Sequence, residues 1–169
     1  ASGGFLFAMC SATDSYDIAL AAEGHDICGP MFDGDGMDSN LDELLDFSKT
    51  LAFKDFTLVK NPNQYEFSSI DATQKRKINA KVDFFTLFDF SAKWDPVPTM
   101  LCQNHMQVIP GFMGQTTSFR NEFIKSDVLI MGETKATNEA RYIHGKLGNG
   151  TWTFYGGHDP EDYQHKVGD

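Results

Sequence analysis

Two short segments near the ends of the chain carry the side chains best suited to covalent chemistry. In the first, Cys10 directly follows an apolar run at residues 5–9, and the sequence Ser-Ala-Thr-Asp that comes next is typical of a helix start. A thiol on a sharp turn between a buried strand and a helix is lifted above the sheet, and the helix N-terminus stabilises its thiolate. This placement predicts a nucleophile at Cys10.

The residues around Cys10 support two interpretations. Ala8 and Ala12 stand where G-x-C-x-G enzymes have glycine, so small residues flank the turn on both sides. Alanine nevertheless resists the positive φ that strained turns of this kind often use. Because cysteine is among the residue types most often buried, an inert core side chain at Cys10 is the alternative.

The second segment is residues 150–162, where a predicted strand ends in Gly-Gly-His-Asp-Pro-Glu. It places the imidazole of His158 at the carboxyl end of the strand, the edge at which open α/β sheets bind their ligands. Asp159 or Glu161 could fix the tautomer of this histidine while its other ring nitrogen takes the thiol proton. In the alternative interpretation, Asp159 only caps a helix that begins at Pro160.

Hydrophobic periodicity predicts the elements that must position these residues. A helix capped by Thr13 or Asp14 should follow the first strand and end before Gly24, and the Gly- and Asp-rich residues 25–50 should form at most one short helix. Further strands are expected at residues 51–59, 84–90, 107–109, 128–132, 140–146 and 151–155. A Gly-Asn-Gly turn should join the last two as a hairpin.

The start of the chain favours a sheet that is completed by another segment. Ser2-Gly3-Gly4 is typical of a helix end, and an apolar strand follows at once. Buried parallel strands lie in the middle of a sheet, with neighbours on both sides. We therefore expect a missing N-terminal portion, from the same protein or from another chain, to supply part of the sheet.

Composition and charge limit the classes of partner. The chain has 169 residues, of which 41% are hydrophobic, enough for one domain with a packed core. Its formal net charge of −10 would repel a phosphate backbone, so nucleic acid is not an expected partner. No apolar run reaches the roughly 18–20 residues of a membrane-spanning helix, and a soluble chain is expected.

Two patterns suggest metal sites without completing one. Cys102 and His105 have C-x-x-H spacing, but structural zinc needs four ligands and no second compact pair accompanies them. The acidic loop at residues 33–43 could bind calcium, yet it departs from the EF-hand pattern at Met37 and Asp38. We therefore expect no metal and no cofactor.

The order of these features resembles a known superfamily. A strand, Cys10 and a helix, followed late in the chain by a strand that leads to His158 and Pro-Glu, are similar to the class I glutamine amidotransferases, whose closing motif is His-x-Glu. Residues 142–162 look like the end of trehalose-utilisation (ThuA-like) domains. The middle, including residues 84–115, looks like long bacterial proteins of the Bacteroidetes type that are labelled asparagine synthetase B.

This resemblance implies a flavodoxin-like, three-layer α/β fold. Residues 1–169 would be the C-terminal portion of a single amidotransferase-like domain, with an irregular insertion at about 25–125 and with the N-terminal part of the sheet missing. Because the bacterial proteins that it resembles are often exported, the resemblance also implies a periplasmic location, which the residues themselves leave open.

For the site, the resemblance implies Cys10 as nucleophile, His158 as general base and Asp159 or Glu161 as the orienting carboxylate. The implied activity is that of a hydrolase or amidotransferase on a small amide, ester or sugar-related substrate. Part of the oxyanion hole in this fold comes from a loop before the nucleophile strand, so the chain alone is expected to be inactive.

Two departures keep other functions open. Asparagine synthetase B enzymes use an N-terminal cysteine and a Ser-Gly-Gly-x-Asp-Ser loop for ATP, and this chain has neither, so ATP-dependent asparagine synthesis is not expected. ThuA-like members often lack a catalytic cysteine. The alternative function is therefore a non-catalytic ligand-binding or assembly subunit that retains the fold.

Overall fold

A computed structural model describes residues 2–61, 68–72, 84–87, 108–110, 118–134 and 137–156, which adopt a mixed α/β fold with short helices. The described strands are β1 (Gly4–Met9), β2 (Phe84–Leu87), β3 (Val108–Pro110), β4 (Phe119–Arg120), β5 (Leu129–Thr134), β6 (Glu139–Leu147) and β7 (Gly150–Tyr155). The described helices are α1 (Ala12–Ala21), α2 (Pro30–Asp33) and α3 (Leu41–Leu44), with a 3₁₀ turn at Asn121–Phe123.

The described strands form one mixed sheet in the order β1-β7-β6-β5-β2-β3, with β4 paired to β6. β1 and β7 run parallel, whereas the other described pairs are antiparallel. Two strands from opposite ends of the sequence therefore lie side by side, and their carboxyl ends meet at one edge of the sheet.

Most strands that the sequence predicts are confirmed with shifted bounds. β1, β5, β6 and β7 lie on the predicted apolar runs, and β2 and β3 cover parts of theirs. The predicted turn joins β6 to β7, with Leu147 opposite Gly150. Gly148 has a φ of 59°, a left-handed value that suits the first position of a two-residue hairpin turn.

β1 is less buried than the sequence predicts. Ala8 lies in the core and Leu6 packs against it. The alternate side chains Phe5, Phe7 and Met9 are 52%, 38% and 36% exposed. Among the described strands β1 has β7 as its neighbour and forms an edge of the sheet, so one face of β1 is buried and the other is exposed within the described residues.

The core lies on the face of the sheet that α1 covers. The ring of Phe154 on β7 lies 6.2 Å from that of Phe53 and 6.4 Å from that of Tyr16 on α1, measured between ring centroids. Phe53 also packs at 5.2 Å against Phe119 of β4. Phe53, Phe119 and Phe154 are fully buried, so these rings connect the sheet with α1 and with the segment that follows α3.

The prediction of a strand at residues 51–59 is wrong. Within the described residues this segment forms isolated bridges, from Phe53 to Ile124 and from Leu58 to Ser68. Asp55 has a φ of 55°, a left-handed value that interrupts an extended strand. The apolar alternation in the sequence reflects burial of Leu51, Phe53 and Phe56 in the core, without regular pairing.

A buried carboxylate on α1 accepts hydrogen bonds from backbone N–H groups that would otherwise pair with a neighbouring strand. Asp17 accepts the backbone N–H of Leu51 at 2.8 Å, of Ala52 at 2.7 Å and of Phe53 at 2.8 Å. Burial raises the pKa of the Asp17 carboxyl, and the three backbone donors and the charge of Lys125 offset that rise only in part. Asp17 therefore ties α1 to a loop that the hydrophobic pattern predicts as a strand.

The helix predictions are confirmed in outline and wrong in detail. α1 begins at Ala12 with Ser11 as its N-cap, so neither Thr13 nor Asp14 caps it. Gly24 follows the helix with a φ of 88°, as expected for the turn that ends it. Residues 25–50 contain two four-residue helices, α2 and α3, where at most one is predicted. Within the described ranges, no helix is long and apolar enough to cross a membrane.

We expect Asp17→Asn to lower the free energy of unfolding by roughly 1–3 kcal/mol, because one amide oxygen would replace two carboxylate oxygens where three buried donors converge. Chemical denaturation measures the effect. Asp127→Asn makes the same change at an exposed residue and should stay within about 0.5 kcal/mol of the wild type. Equal stabilities of the two variants would contradict this role of Asp17.

Gly145 on β6 lies opposite Trp152 on β7, and a methyl group at residue 145 would come within 2.3 Å of an indole carbon. We expect Gly145→Ala to lower the free energy of unfolding by roughly 1–3 kcal/mol through overpacking. Gly36→Ala is the matched control, because nothing lies within 4 Å of the added carbon. Thermal unfolding of both variants checks the difference, and an unchanged melting temperature for Gly145→Ala would argue against this packing.

Candidate functional site

Cys10 occupies the turn between β1 and α1 in a strained conformation. Its φ is 56°, in the left-handed region that side chains larger than hydrogen rarely adopt. The carbonyl of Cys10 accepts hydrogen bonds from the backbone N–H of Thr13 at 3.2 Å and from its hydroxyl at 2.7 Å. Cys10 is partly exposed, so it is not the fully buried core residue of the alternative interpretation.

The positive φ lies on the cysteine itself and on neither flanking alanine. Ala8 is buried within β1, and Ala12 is the first residue of α1. Neither residue is among those with positive φ. The replacement of glycine by alanine at these two positions therefore does not oppose the observed turn.

The end of β7 lies beside this turn. Met9 pairs with Tyr155, and the backbone N–H of Cys10 donates to the carbonyl of Tyr155 at 3.1 Å. The next residue, Gly156, donates its backbone N–H to the carbonyl of Arg141 at 2.7 Å. Gly156, the last described residue, precedes His158 by two positions. His158, Asp159 and Glu161 lie outside the described residues.

A charged residue that the hydrophobic pattern did not indicate lies at the same edge of the sheet. Arg141 on β6 is fully buried and belongs to the strand next to β7. Adjacent strands are about 4.8 Å apart, so the backbones of Cys10 and Arg141 lie about 10 Å apart across β7. A charged residue within the apolar run at 140–146 was the available signal, because arginine is rarely buried without a specific role.

The first turn of α1 adds buried polar groups next to Cys10. Thr13 and Asp14 are both buried, and the backbone N–H of Thr13 donates to the carbonyl of Cys10. Ten residues give α1 almost three turns, and the partial positive charge of its N-terminus lies in the turn that holds the carboxyl of Asp14. Backbone N–H groups at a helix N-terminus can stabilise an oxyanion formed from a bound carbonyl group.

Of the two metal patterns in the sequence, the acidic loop is the one that the structure describes. The acidic loop brings carboxylate oxygens of Asp26, Asp33 and Asp35 within 4.8 Å of one another, but exposed acidic groups often lie together without an ion. Asp38, which the EF-hand comparison singled out, is hydrogen-bonded to the His25 ring at 3.3 Å. The Cys102 and His105 pair lies outside the described residues.

Comparison with known proteins gave no match, either to a protein-family model, to a curated protein or to a solved structure. The fold and site define a mixed α/β protein with a cysteine on a strained strand-to-helix turn. The resemblance to the glutamine amidotransferase-like superfamily stays a prediction.

The strain at Cys10 predicts an unusual order of stabilities. We expect Cys10→Gly to be more stable than Cys10→Ala by roughly 1 kcal/mol, because both remove the thiol and only glycine adopts this φ without strain. Cys28 is not among the residues with positive φ, so Cys28→Ala should be at least as stable as Cys28→Gly. Urea denaturation of the four variants tests this, and the same order at both positions would contradict the strained turn.

Proposed function

We propose that this chain is the C-terminal portion of a class I glutamine amidotransferase-like domain with a flavodoxin-like, three-layer fold. It acts through Cys10 and His158 on a small amide, ester or sugar-related substrate. The observation that carries the proposal is the left-handed backbone of Cys10 at the junction of β1 and α1, beside the carboxyl end of the parallel neighbour β7. Strand-to-helix turns of this kind present nucleophiles in α/β hydrolases.

The register of β1 and β7 supports the pairing with His158. Gly156 is the residue opposite Cys10 in the continuing register, and His158 follows it by two positions. Two residues span at most about 7 Å of extended chain, so the imidazole can reach the thiol from this edge. Asp159 or Glu161 then holds the imidazole in the tautomer that accepts the thiol proton.

The proposed reaction is acyl transfer through a thioester. His158 takes the proton of Cys10, and the thiolate attacks the carbonyl carbon of the substrate. The tetrahedral intermediate expels the amine or alcohol, which leaves with the proton from His158. Water, activated by the same imidazole, then attacks the thioester and releases the acid and the free thiol.

The backbone N–H of Ser11, the residue after the nucleophile, is the expected first oxyanion donor, as in other enzymes with such a turn. The second donor in this fold belongs to a loop before the nucleophile strand. Each missing donor lowers the rate by roughly 10²- to 10³-fold, so full activity requires the partner segment.

The exposed face of β1 supports that partner segment and also the alternative function. Phe5, Phe7 and Met9 lie on the face of β1 opposite Ala8, which packs against α1. Three-layer α/β domains cover both faces of their sheet with helices. A missing N-terminal portion, from the same protein or from another chain, would cover this row. If the chemistry is lost, the same surface makes the chain a non-catalytic assembly subunit.

By its resemblance to bacterial proteins that are often exported, we propose that the protein is exported to the periplasm.

Alkylation of Cys10 tests the Cys-His pair without requiring turnover. In a protein with Cys28 and Cys102 replaced by serine, we expect iodoacetamide to reach half its maximal rate below about pH 7.5, because a paired imidazole and the helix N-terminus stabilise the thiolate. His158→Asn should move this midpoint upward by about one pH unit or more.

His25→Asn is the matched control, since His25 contacts Asp38 and not the Cys10 turn, and it should leave the midpoint unchanged. An alkylation midpoint near pH 8.5 that His158→Asn does not change would contradict the catalytic proposal and favour the assembly subunit.

A further inference from the structure

A cavity between α1 and residue 61 has three sulfur-bearing side chains in its lining. Its volume is about 500 Å³, and Cys28, Met31 and Met37 all line it. In the part of the chain that the structure describes, no residue of β1, α1 or β7 lines this cavity, so it is separate from the Cys10 turn. The rest of the lining is mainly apolar and includes Ile27, Phe32, Leu41 and Leu58.

A closed loop brings Met37 back to the start of α2. The backbone N–H of Asp38 donates to the carbonyl of Asp26 at 2.9 Å, and the backbone N–H of Asp26 donates to the Asp38 carboxylate at 3.2 Å. These two hydrogen bonds join the ends of the loop. The terminal methyl of Met37 consequently lies close to Gly29, where an added carbon would be 3.5 Å from it.

The Cys28 side chain lies beside the same glycine. The backbone N–H of Cys28 donates to the Asp26 carboxylate at 2.9 Å, which fixes the turn before α2. The sulfur of Cys28 lies 3.9 Å from the carbonyl oxygen of Gly29, and Met31 is the second residue of the helix that follows. The three side chains therefore belong to one short, hydrogen-bonded segment of the chain.

Core packing does not account for these sulfur groups. Methionine usually fills irregular gaps in a core, but Met31 is 62% exposed, and Cys28 and Met37 are partly exposed. Large apolar side chains that stay together in solvent often mark a binding site. An ion from solvent can thus reach all three residues.

The side chains of the lining favour a soft metal ion. Thiolate and thioether ligands select Cu(I), whereas calcium and magnesium prefer oxygen, and protein zinc sites use thiolate, imidazole or carboxylate. Among the described residues, the carboxylates of Asp26, Asp33 and Asp35 are not part of the lining. Lys60 is part of it, but its ammonium group lies 3.1 Å from the Asp42 carboxylate, so its charge is paired.

We propose that this cavity binds Cu(I) through the thiolate of Cys28 and the thioether sulfurs of Met31 and Met37. The zinc and calcium patterns of the sequence contain no thioether ligand, so the sequence did not predict this site. The proposal does not depend on the chemistry of Cys10.

Binding exchanges one proton for the metal. The Cys28 thiol is hydrogen-bonded to Asp33, which raises its pKa, so the sulfur carries a proton before the metal arrives. A copper–sulfur bond then replaces the sulfur–hydrogen bond, and the proton is released to solvent. The two thioethers bind without losing a proton, and no electron is transferred.

The site is tested with the full chain in which Cys10 and Cys102 are replaced by serine, so that Cys28 is the remaining thiol. Anaerobic competition with the coloured chelator bathocuproine disulfonate measures the affinity for Cu(I), and calorimetric titration with silver nitrate measures that for a second soft ion. We expect a single Cu(I) or Ag(I) to bind per chain and Zn(II) to bind much more weakly.

Conservative variants test the two thioethers. Met31→Leu and Met37→Leu keep the side-chain volume and remove the sulfur. Each should lower the affinity for Cu(I) by at least about tenfold, because changes outside the ligand set already cost about 10- to 100-fold. Met9→Leu is the matched control, since Met9 is a partly exposed methionine outside the cavity, and it should leave the affinity unchanged. Circular dichroism checks that each variant is folded.

X-ray absorption of the copper-loaded protein should show three sulfur neighbours. If the double variant Met31→Leu, Met37→Leu bound Cu(I) as tightly as its parent, a lone thiol would hold the ion and the proposal would be overturned. Oxygen or nitrogen neighbours in place of the thioethers, equal affinity for Zn(II), or a failure to compete with the chelator would also overturn it.

Discussion

The carboxylate of Asp17 accepts three consecutive backbone amides, and this interaction determines where α1 stands relative to the rest of the chain. It fixes the segment that carries Phe53, whose ring packs against Phe154 of β7. Hydrogen bonds from Asp17 therefore tie α1 to the loop at residues 51–53, and core packing ties α1 to the sheet. Because the first turn of α1 also contains the hydrogen bonds to Cys10, the candidate nucleophile depends on the same interaction. A buried carboxylate is costly unless such donors satisfy it, so the three amides and Asp17 stabilise one another.

The parallel pairing of β1 with β7 is the second constraint, since it brings the two ends of the sequence to one edge of the sheet. Cys10 is held there in a left-handed conformation by its bonds to Thr13 and Tyr155. Non-glycine residues in this region cost roughly 1–2 kcal/mol, and the surrounding core must offset that strain. The cavity beside α2 has a different basis, because it is formed by side chains of α2, of Leu41 on α3 and of the loops around them.

Local periodicity was sufficient to predict β1, α1 and the β6–β7 hairpin, because each of these elements is specified by residues close together in sequence. It failed at residues 51–59, where alternating apolar residues face the core and their amides bind Asp17, more than thirty positions away. The short helices α2 and α3 lack the length over which a helical period becomes visible. Cys10 was predicted as the candidate residue, but its own positive φ was not, and the expected difficulty at Ala8 and Ala12 did not arise. Burial of Arg141 follows from tertiary packing that no local pattern contains.

We propose that Cys10 and His158 form one site across the edge that β1 and β7 share. The distance from the sulfur of Cys10 to the nearer ring nitrogen of His158, measured in a crystal structure of the protein together with the segment that covers β1, tests it most directly. We expect about 3–4 Å, the separation of a thiol and its general base. A distance beyond about 7 Å would contradict it, because no proton could pass directly between the two side chains.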